Sequence, residues 1–310
     1  MNAHLPWWLR HGHTQTLAAL ASQPDECVAS SQQCLETADG DFVNLTWFDH
    51  QTGPIFILLP GMGGHARSPY IQVIANHLWK AGFSSVVLEG RGARQPNRLA
   101  KFYHAGFTED IDWLSARLYA SNRPVYAIGF SLGANVLVKW LAQAQEHSRI
   151  KAAAMVSMTF DLSSTATLAN RGFNRIYQAR VLSGHLRVAR AKLHLPEYQR
   201  RREHLAHTKT MADFDDRFTA PLNGFGSAQA YYGYASSAQF LPYIPVPCVV
   251  LNAADDPLIS PSSWPNSTEL PPHIELLKVP HGGHLGFMAR WRKSYFPDQL
   301  TAFFKTKVQT

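Results

Sequence analysis

The sequence predicts a mainly parallel α/β sheet with helices on both faces, and three observations carry that prediction. Short β-rich runs alternate with helical stretches along most of the 310 residues. Most of those runs are almost continuously apolar, as strands covered on both faces must be. One long segment, from about 161 to 240, interrupts the rhythm with no apolar run that resembles a buried strand.

In chain order, the predicted strands are Val43–Phe48, Ile55–Leu59, Ser85–Leu88, Val125–Phe130, Ala152–Ser157, Cys248–Asn252 and Ile274–Val279. Helical patterns follow the second, third, fourth and last of them, at Tyr70–Lys80, Thr108–Tyr119, Gly133–Gln145 and Pro297–Lys305. The interruption carries Arg-rich stretches, TMADFDDRFTAPLNGFG and the aromatic run AYYGYASS. A helical cap inserted over the carboxyl ends of the strands explains it better than a structureless loop of that length. The expected organisation is a core at 1–160, a cap at 161–240 and the rest of the core at 241–310.

Composition narrows the function classes. Hydrophobic residues at 45% and charged residues at 16% are ordinary for a globular enzyme. The longest apolar runs are far too short to span a bilayer, and Leu17–Ala21 is too short for the apolar region of a secretory signal. Cys27, Cys34 and Cys248 form an odd set without metal-like pairing, which suits a reducing, cytoplasmic setting. The net charge of +7 could serve nucleic acid, an anionic lipid surface or solubility. Nine Lys and Arg residues against one acid, Glu197, fall between Arg171 and Arg202. No nucleic-acid-binding motif accompanies them, so no nucleic acid partner is expected. Arg175, Arg180, Arg187 and Arg190 recur at roughly helical spacing, which would suit an anionic membrane surface or an acidic substrate headgroup.

The chemistry-bearing motif is Gly129-Phe130-Ser131-Leu132-Gly133, a G-x-S-x-G where an apolar run ends and a helical pattern begins. A serine hydroxyl at its free pKa is a poor nucleophile; it needs a base, and the base needs an orienting carboxylate. Both are available downstream, each after a predicted strand. CVVLNA leads into Asp255 and Asp256, and IELLKV leads into His281 and His284. Asp256, immediately before Pro257, is favoured over Asp255 as the acid. His284, in a glycine-rich loop, is favoured over His281 as the base. Two backbone N–H groups must meet the negative charge of a tetrahedral intermediate. Leu132, after the serine, and Met62, in the loop Pro60-Gly61-Met62-Gly63-Gly64-His65, are the candidate donors. Two histidines without a third ligand at recognisable spacing do not make a metal site, and neither glycine-rich phosphate-binding pattern occurs. Asp215-Asp216 is expected to serve helix capping and Arg pairing, and Tyr231, Tyr232 and Tyr234 to pack the cap.

With these residues in hand, nearly the whole chain resembles the α/β-hydrolase superfamily, and within it the YheT-like branch. WWLRHGHTQT, PGMGGHARSPYIQ, VVLEGRGA, the cap stretch from Thr210 to Ser237, NAADDPLIS and VPHGGHLGF are the stretches that carry the likeness. Pro60 departs from it, because many relatives have His before the loop glycine. The resemblance implies a mainly parallel eight-stranded sheet flanked by helices, with an inserted helical cap. It also implies Ser131 as nucleophile, Asp256 as acid and His284 as base. The activity it implies is cleavage of carboxylic esters of short- to medium-chain acyl groups, from a small acyl ester or lipid-like substrate, with no cofactor. An acyltransferase or thioesterase would use the same residues, and a non-catalytic lipid- or acyl-binding relative is the non-enzyme alternative.

Overall fold

The computed structural model describes residues 5–22 and 28–308, so Cys27 lies outside the described residues. Eight strands form one sheet: β1 (Ser31–Glu36), β2 (Phe42–Phe48), β3 (Ile55–Leu59), β4 (Ser84–Glu89), β5 (Val125–Phe130), β6 (Ile150–Val156), β7 (Cys248–Ala253) and β8 (Ile274–Val279). Their order across the sheet is β1-β2-β4-β3-β5-β6-β7-β8, with β1 and β2 antiparallel and every pairing from β4 to β8 parallel.

Strand β3 shows why these runs are apolar throughout. Ile55, Ile57 and Leu59 pack into one layer with residues of α3 (Glu109–Tyr119) and α4 (Leu132–Ala144). Phe56 and Leu58 pack into the opposite layer with α2 (Pro69–Lys80) and the C-terminal helix Phe296–Val308. Successive side chains point to opposite faces, so a strand covered twice needs an apolar residue at every position. The edge strand β1 lacks that requirement. Its sequence, SQQCLE, is largely exposed, and it joins the sheet through one neighbour alone.

Among the described residues, the chain between β6 and β7 contains helices only. They include α5 (Leu162–Ala169), α6 (Asn174–Ala191) and Ala228–Ala235. Leu182, Ala189, Tyr198, Met211, Phe214 and Phe218 bury an apolar cluster of their own with Phe102 from the core. Ala220, Tyr231, Tyr232 and Ala235 join the apolar cluster of the core itself, and polar contacts reach main-chain groups of residues 99–105. The Lys192 ammonium donates to the carbonyls of Leu99 (2.6 Å) and Lys101 (3.3 Å), the Tyr198 hydroxyl to Ala100 (3.1 Å) and the Asn223 amide to Phe102 (3.0 Å). The Ala105 N–H donates to the Tyr231 hydroxyl at 3.0 Å. Tyr231 and Tyr232 are buried, whereas Tyr234 is exposed and lies over the Lys139 ammonium.

The two acids of the FDDRF stretch meet the sequence expectation in part: Asp216 serves the start of a helix, but neither acid pairs with an arginine among the described residues. Asp215 opens a π-helical turn, Asp215–Thr219, and is buried. It accepts the Tyr232 hydroxyl at 2.8 Å, while Asp216 accepts the N–H of Ala228 at the start of the following helix. Burial pushes the Asp215 carboxyl up to about 6, against the opposing pull of hydrogen bonds from Thr219 and Tyr232.

A carboxyl raised in the fold adds stability that is complete below its unfolded pKa of 3.8 and lost as pH rises through about 6. That loss is about 3 kcal/mol at most. Asp215→Asn keeps an acceptor for Tyr232 without the charge. Its melting temperature relative to the wild type should therefore rise by several degrees between pH 4.5 and pH 7.5. A difference that stays constant between the two pH values would remove Asp215 from the pH dependence of stability.

Candidate functional site

The turn from β5 into α4 places Ser131 at φ 50°, ψ −119°, a conformation L residues rarely adopt. Three glycines make the turn sterically possible. A Cβ on Gly133 would lie 2.2 Å from the Leu59 carbonyl oxygen, and one on Gly129 would lie 2.5 Å from the Ala134 Cα. A Cβ on Gly61 would come within 3.1 Å of the Ser131 Cβ. The β3 loop, the serine and the first turn of α4 thus touch through backbone.

The other sequence-predicted residues arrive at the carboxyl ends of neighbouring parallel strands. Asp256 follows β7 and His284 follows β8. His284 Nε2 lies 2.9 Å from Ser131 Oγ, and His284 Nδ1 lies 2.9 Å from Asp256 Oδ2. A carboxylate only accepts, so Nδ1 carries the ring proton and Nε2 is left to accept from the serine hydroxyl. The Asp256 side chain is fully buried, and its other oxygen accepts the N–H of Leu258 at 2.8 Å.

Asp255 has a different task. Its Oδ1 accepts the N–H groups of Gly282 (2.9 Å) and Gly283 (2.8 Å), and its Oδ2 faces His281 Nδ1 at 3.3 Å. One acid therefore reaches the imidazole that meets Ser131, while its neighbour pins the loop that presents that imidazole.

Leu132 and Met62 face a common cleft. Neither N–H has a protein acceptor among the described residues. The Met62 loop is held by the Tyr70 hydroxyl, which accepts the Gly61 N–H at 2.9 Å, and by the Gly64 N–H, which donates to the Gly61 carbonyl at 2.8 Å. Burial pushes the Tyr70 phenol up to about 12, so it stays protonated. The cleft encloses about 490 Å³ between this loop, the Gly90–Ala93 loop after β4 and helix α6.

Sequence reasoning missed the support behind His284. Helix α1 (Gly12–Ala19) packs directly on the acid and histidine loops. The Thr16 hydroxyl accepts the His284 N–H at 2.9 Å and donates to the Gly12 carbonyl at 2.7 Å. Fully buried Gln15 accepts the Met288 N–H at 2.7 Å and donates to the Leu9 carbonyl at 2.7 Å. A Cβ on Gly12 would overlap the Asp255 carbonyl oxygen at 1.8 Å, so the helix can approach only with glycine there. The stretch RHGHTQT did carry a family likeness, but nothing in its periodicity pointed across 268 residues to the histidine loop. The histidine loop is itself strained: Gly283, Leu285 and Phe287 all have positive φ.

Among the described residues, no three His, Cys, Asp or Glu side chains are grouped to hold a metal, and no helix is long and apolar enough to cross a membrane.

The alpha/beta hydrolase fold family matches residues 54–290. YheT of Escherichia coli (strain K12), provisionally named an esterase, is 33% identical over 89% of this chain and 86% of its own length. The monoacylglycerol lipase of Saccharomyces cerevisiae (strain ATCC 204508 / S288c) is 30% identical over 81% of this chain and 59% of its own. Phospholipase ABHD3 of Homo sapiens is 28% identical over 97% and 77%. Among solved structures, the Pyrococcus furiosus esterase Pf2001 superposes with a TM-score of 0.60 over 91% of this chain and 94% of that one, at 15% identity. Sheet order, family match and relatives agree: the chain belongs to the alpha/beta hydrolase fold family.

Proposed function

We propose that this protein is a serine esterase that cleaves carboxylic esters of short- to medium-chain acyl groups through an acyl-enzyme on Ser131. The observation that carries the reading is the hydrogen-bonded order Ser131–His284–Asp256, with the serine held on a strained turn. His284 Nε2 takes the hydroxyl proton as Oγ bonds to the ester carbon. The carbonyl π pair moves to oxygen, where the Met62 and Leu132 N–H groups meet the charge. Collapse breaks the bond to the alcohol oxygen, which leaves with the proton from His284. Water then repeats the sequence on the acyl-enzyme, with His284 again as base. Asp256 fixes the imidazole tautomer and stabilises the imidazolium that forms twice per turnover. Relatives named esterase, lipase and phospholipase support an acyl ester as the substrate class. Cys34, exposed on β1, has no disulfide partner among the described residues, which fits a reducing cytoplasmic setting.

Ser131→Ala should lose a thousandfold or more in turnover of aryl esters, together with labelling by a fluorophosphonate probe. Cleavage by that variant as fast as by wild type would sink the proposal. The two adjacent acids should separate cleanly. Asp256→Asn is expected to cost roughly a thousandfold or more in kcat, whereas Asp255→Asn should cost on the order of tenfold and lower the melting temperature by a few degrees. The reverse order, measured by steady-state kinetics, would exchange their roles. Thr16→Val leaves the His284 N–H without its acceptor, a loss of about 1–3 kcal/mol. We expect a lower melting temperature and a lower kcat, both recovered in Thr16→Ser; no change in either would take α1 out of the support for His284.

A further inference from the structure

The cleft beside Met62 and Leu132 has an uneven distribution of charge. Its walls are the glycine-rich loops 61–64 and 90–92 on one side and helix α6 on the other, and among the described residues no acidic side chain lines it. Arg91 contributes no free charge, because Asp39, Asp41 and Asp110 hold its buried guanidinium at 2.7, 3.2 and 2.6 Å. His185 also lines the cleft, but burial pushes it down to about 4, and its ring packs between Phe102 and Phe214. His65 lines the opposite wall, where its Nδ1 accepts the Arg67 N–H. The arginines of the cleft without a carboxylate partner among the described residues are Arg180 and Arg187, both exposed.

Their placement is specific. Residues 180, 184, 187 and 188 share one face of a helix, and that face is the one turned to the cleft. Gly184 lies between the two arginines along this face and leaves open space there, since a Cβ would meet nothing within 4 Å. Arg175 and Arg190 belong to the same helix but do not line the cleft. The sequence spacing suggested four arginines on one face, and the cleft selects two.

Resting on the esterase reading, we propose that the substrate is an ester carrying an anionic group, a carboxylate or a phosphate, separated from the scissile carbonyl. Arg180 and Arg187 hold that group over Gly184 while the carbonyl lies between Ser131 and the Met62 and Leu132 N–H groups. Guanidinium forks suit both anions. The side facing them carries glycine backbone instead of carboxylates, so nothing in the cleft competes for the two charges. The substrate is a soluble ester entering the cleft, not a membrane surface.

The test compares matched pairs of esters. With charge on the acyl side, the pair is 4-nitrophenyl octanoate and the mono-4-nitrophenyl ester of suberic acid. With charge on the alcohol side, it is 2-hydroxyethyl butyrate and its phosphate monoester, which also separates carboxylate from phosphate. In Arg180→Gln/Arg187→Gln, the ratio of kcat/KM for anionic over neutral ester should fall about tenfold or more in at least one pair, with the neutral ester unchanged. The wild-type preference should also weaken with added salt. An unchanged ratio in both pairs would overturn the inference and leave the esterase reading intact. An arginine effect seen only on vesicles containing anionic lipid would replace the inference with a surface-docking role. No Ser131-dependent cleavage of any of the four esters would remove the esterase reading and this inference with it.

Discussion

The backbone of Ser131 is the constraint around which the rest is arranged. At φ 50°, ψ −119° the residue is strained by about 1–3 kcal/mol, and its neighbours hold it there. Its N–H donates to the Val156 carbonyl at the end of β6, and its own carbonyl accepts from Ala134 in the first turn of α4. One neighbour belongs to the sheet and the other to a helix buried along most of its length. Releasing the strain would therefore mean disturbing a junction between a buried strand and a buried helix. The strain is stable because it is small beside the core that surrounds it, and it aims the hydroxyl out of the sheet toward His284.

From that fixed point the remaining parts are positioned by short-range stapling. Each residue of the candidate site sits next to one that holds a loop: Asp255 beside Asp256, Gly61 and its Tyr70 contact beside Met62, Thr16 behind His284. Long flexible loops would leave the 2.9 Å contacts to chance. Backbone N–H groups tied to carboxylate, phenol and hydroxyl oxygens remove that freedom at each strand end.

Much of this was legible in the sequence, for a physical reason. Buried parallel strands leave continuous apolar runs, so β3, β5 and β8 were bounded to the residue and β2, β4, β6 and β7 to within about two. Ser131, Asp256 and His284 stood out because each follows such a run in a small-residue loop. Strand β1 left no trace, since a solvent-facing edge strand has little need of apolar side chains. The clasp of Arg91 by three aspartates and the support of His284 by α1 were equally invisible, because they join residues far apart in the chain. Local periodicity reports what an element covers and is silent about which distant partner it meets. The FDDRF acids show the same limit: of the helix capping and arginine pairing expected, Asp216 meets a helix N–H, while Asp215 meets a tyrosine hydroxyl from a later helix instead of an arginine.

The bond between Thr16 and His284 also bears on how the molecule comes into being. A ribosome delivers Thr16 of α1 268 residues ahead of His284, and chains are made at about 5–20 residues per second. For the intervening time, Thr16 and Gln15 have no His284 or Met288 to receive, and Ser131 and Asp256 have no imidazole between them. The segment that brings His284 to Ser131 is the same one whose backbone N–H meets Thr16.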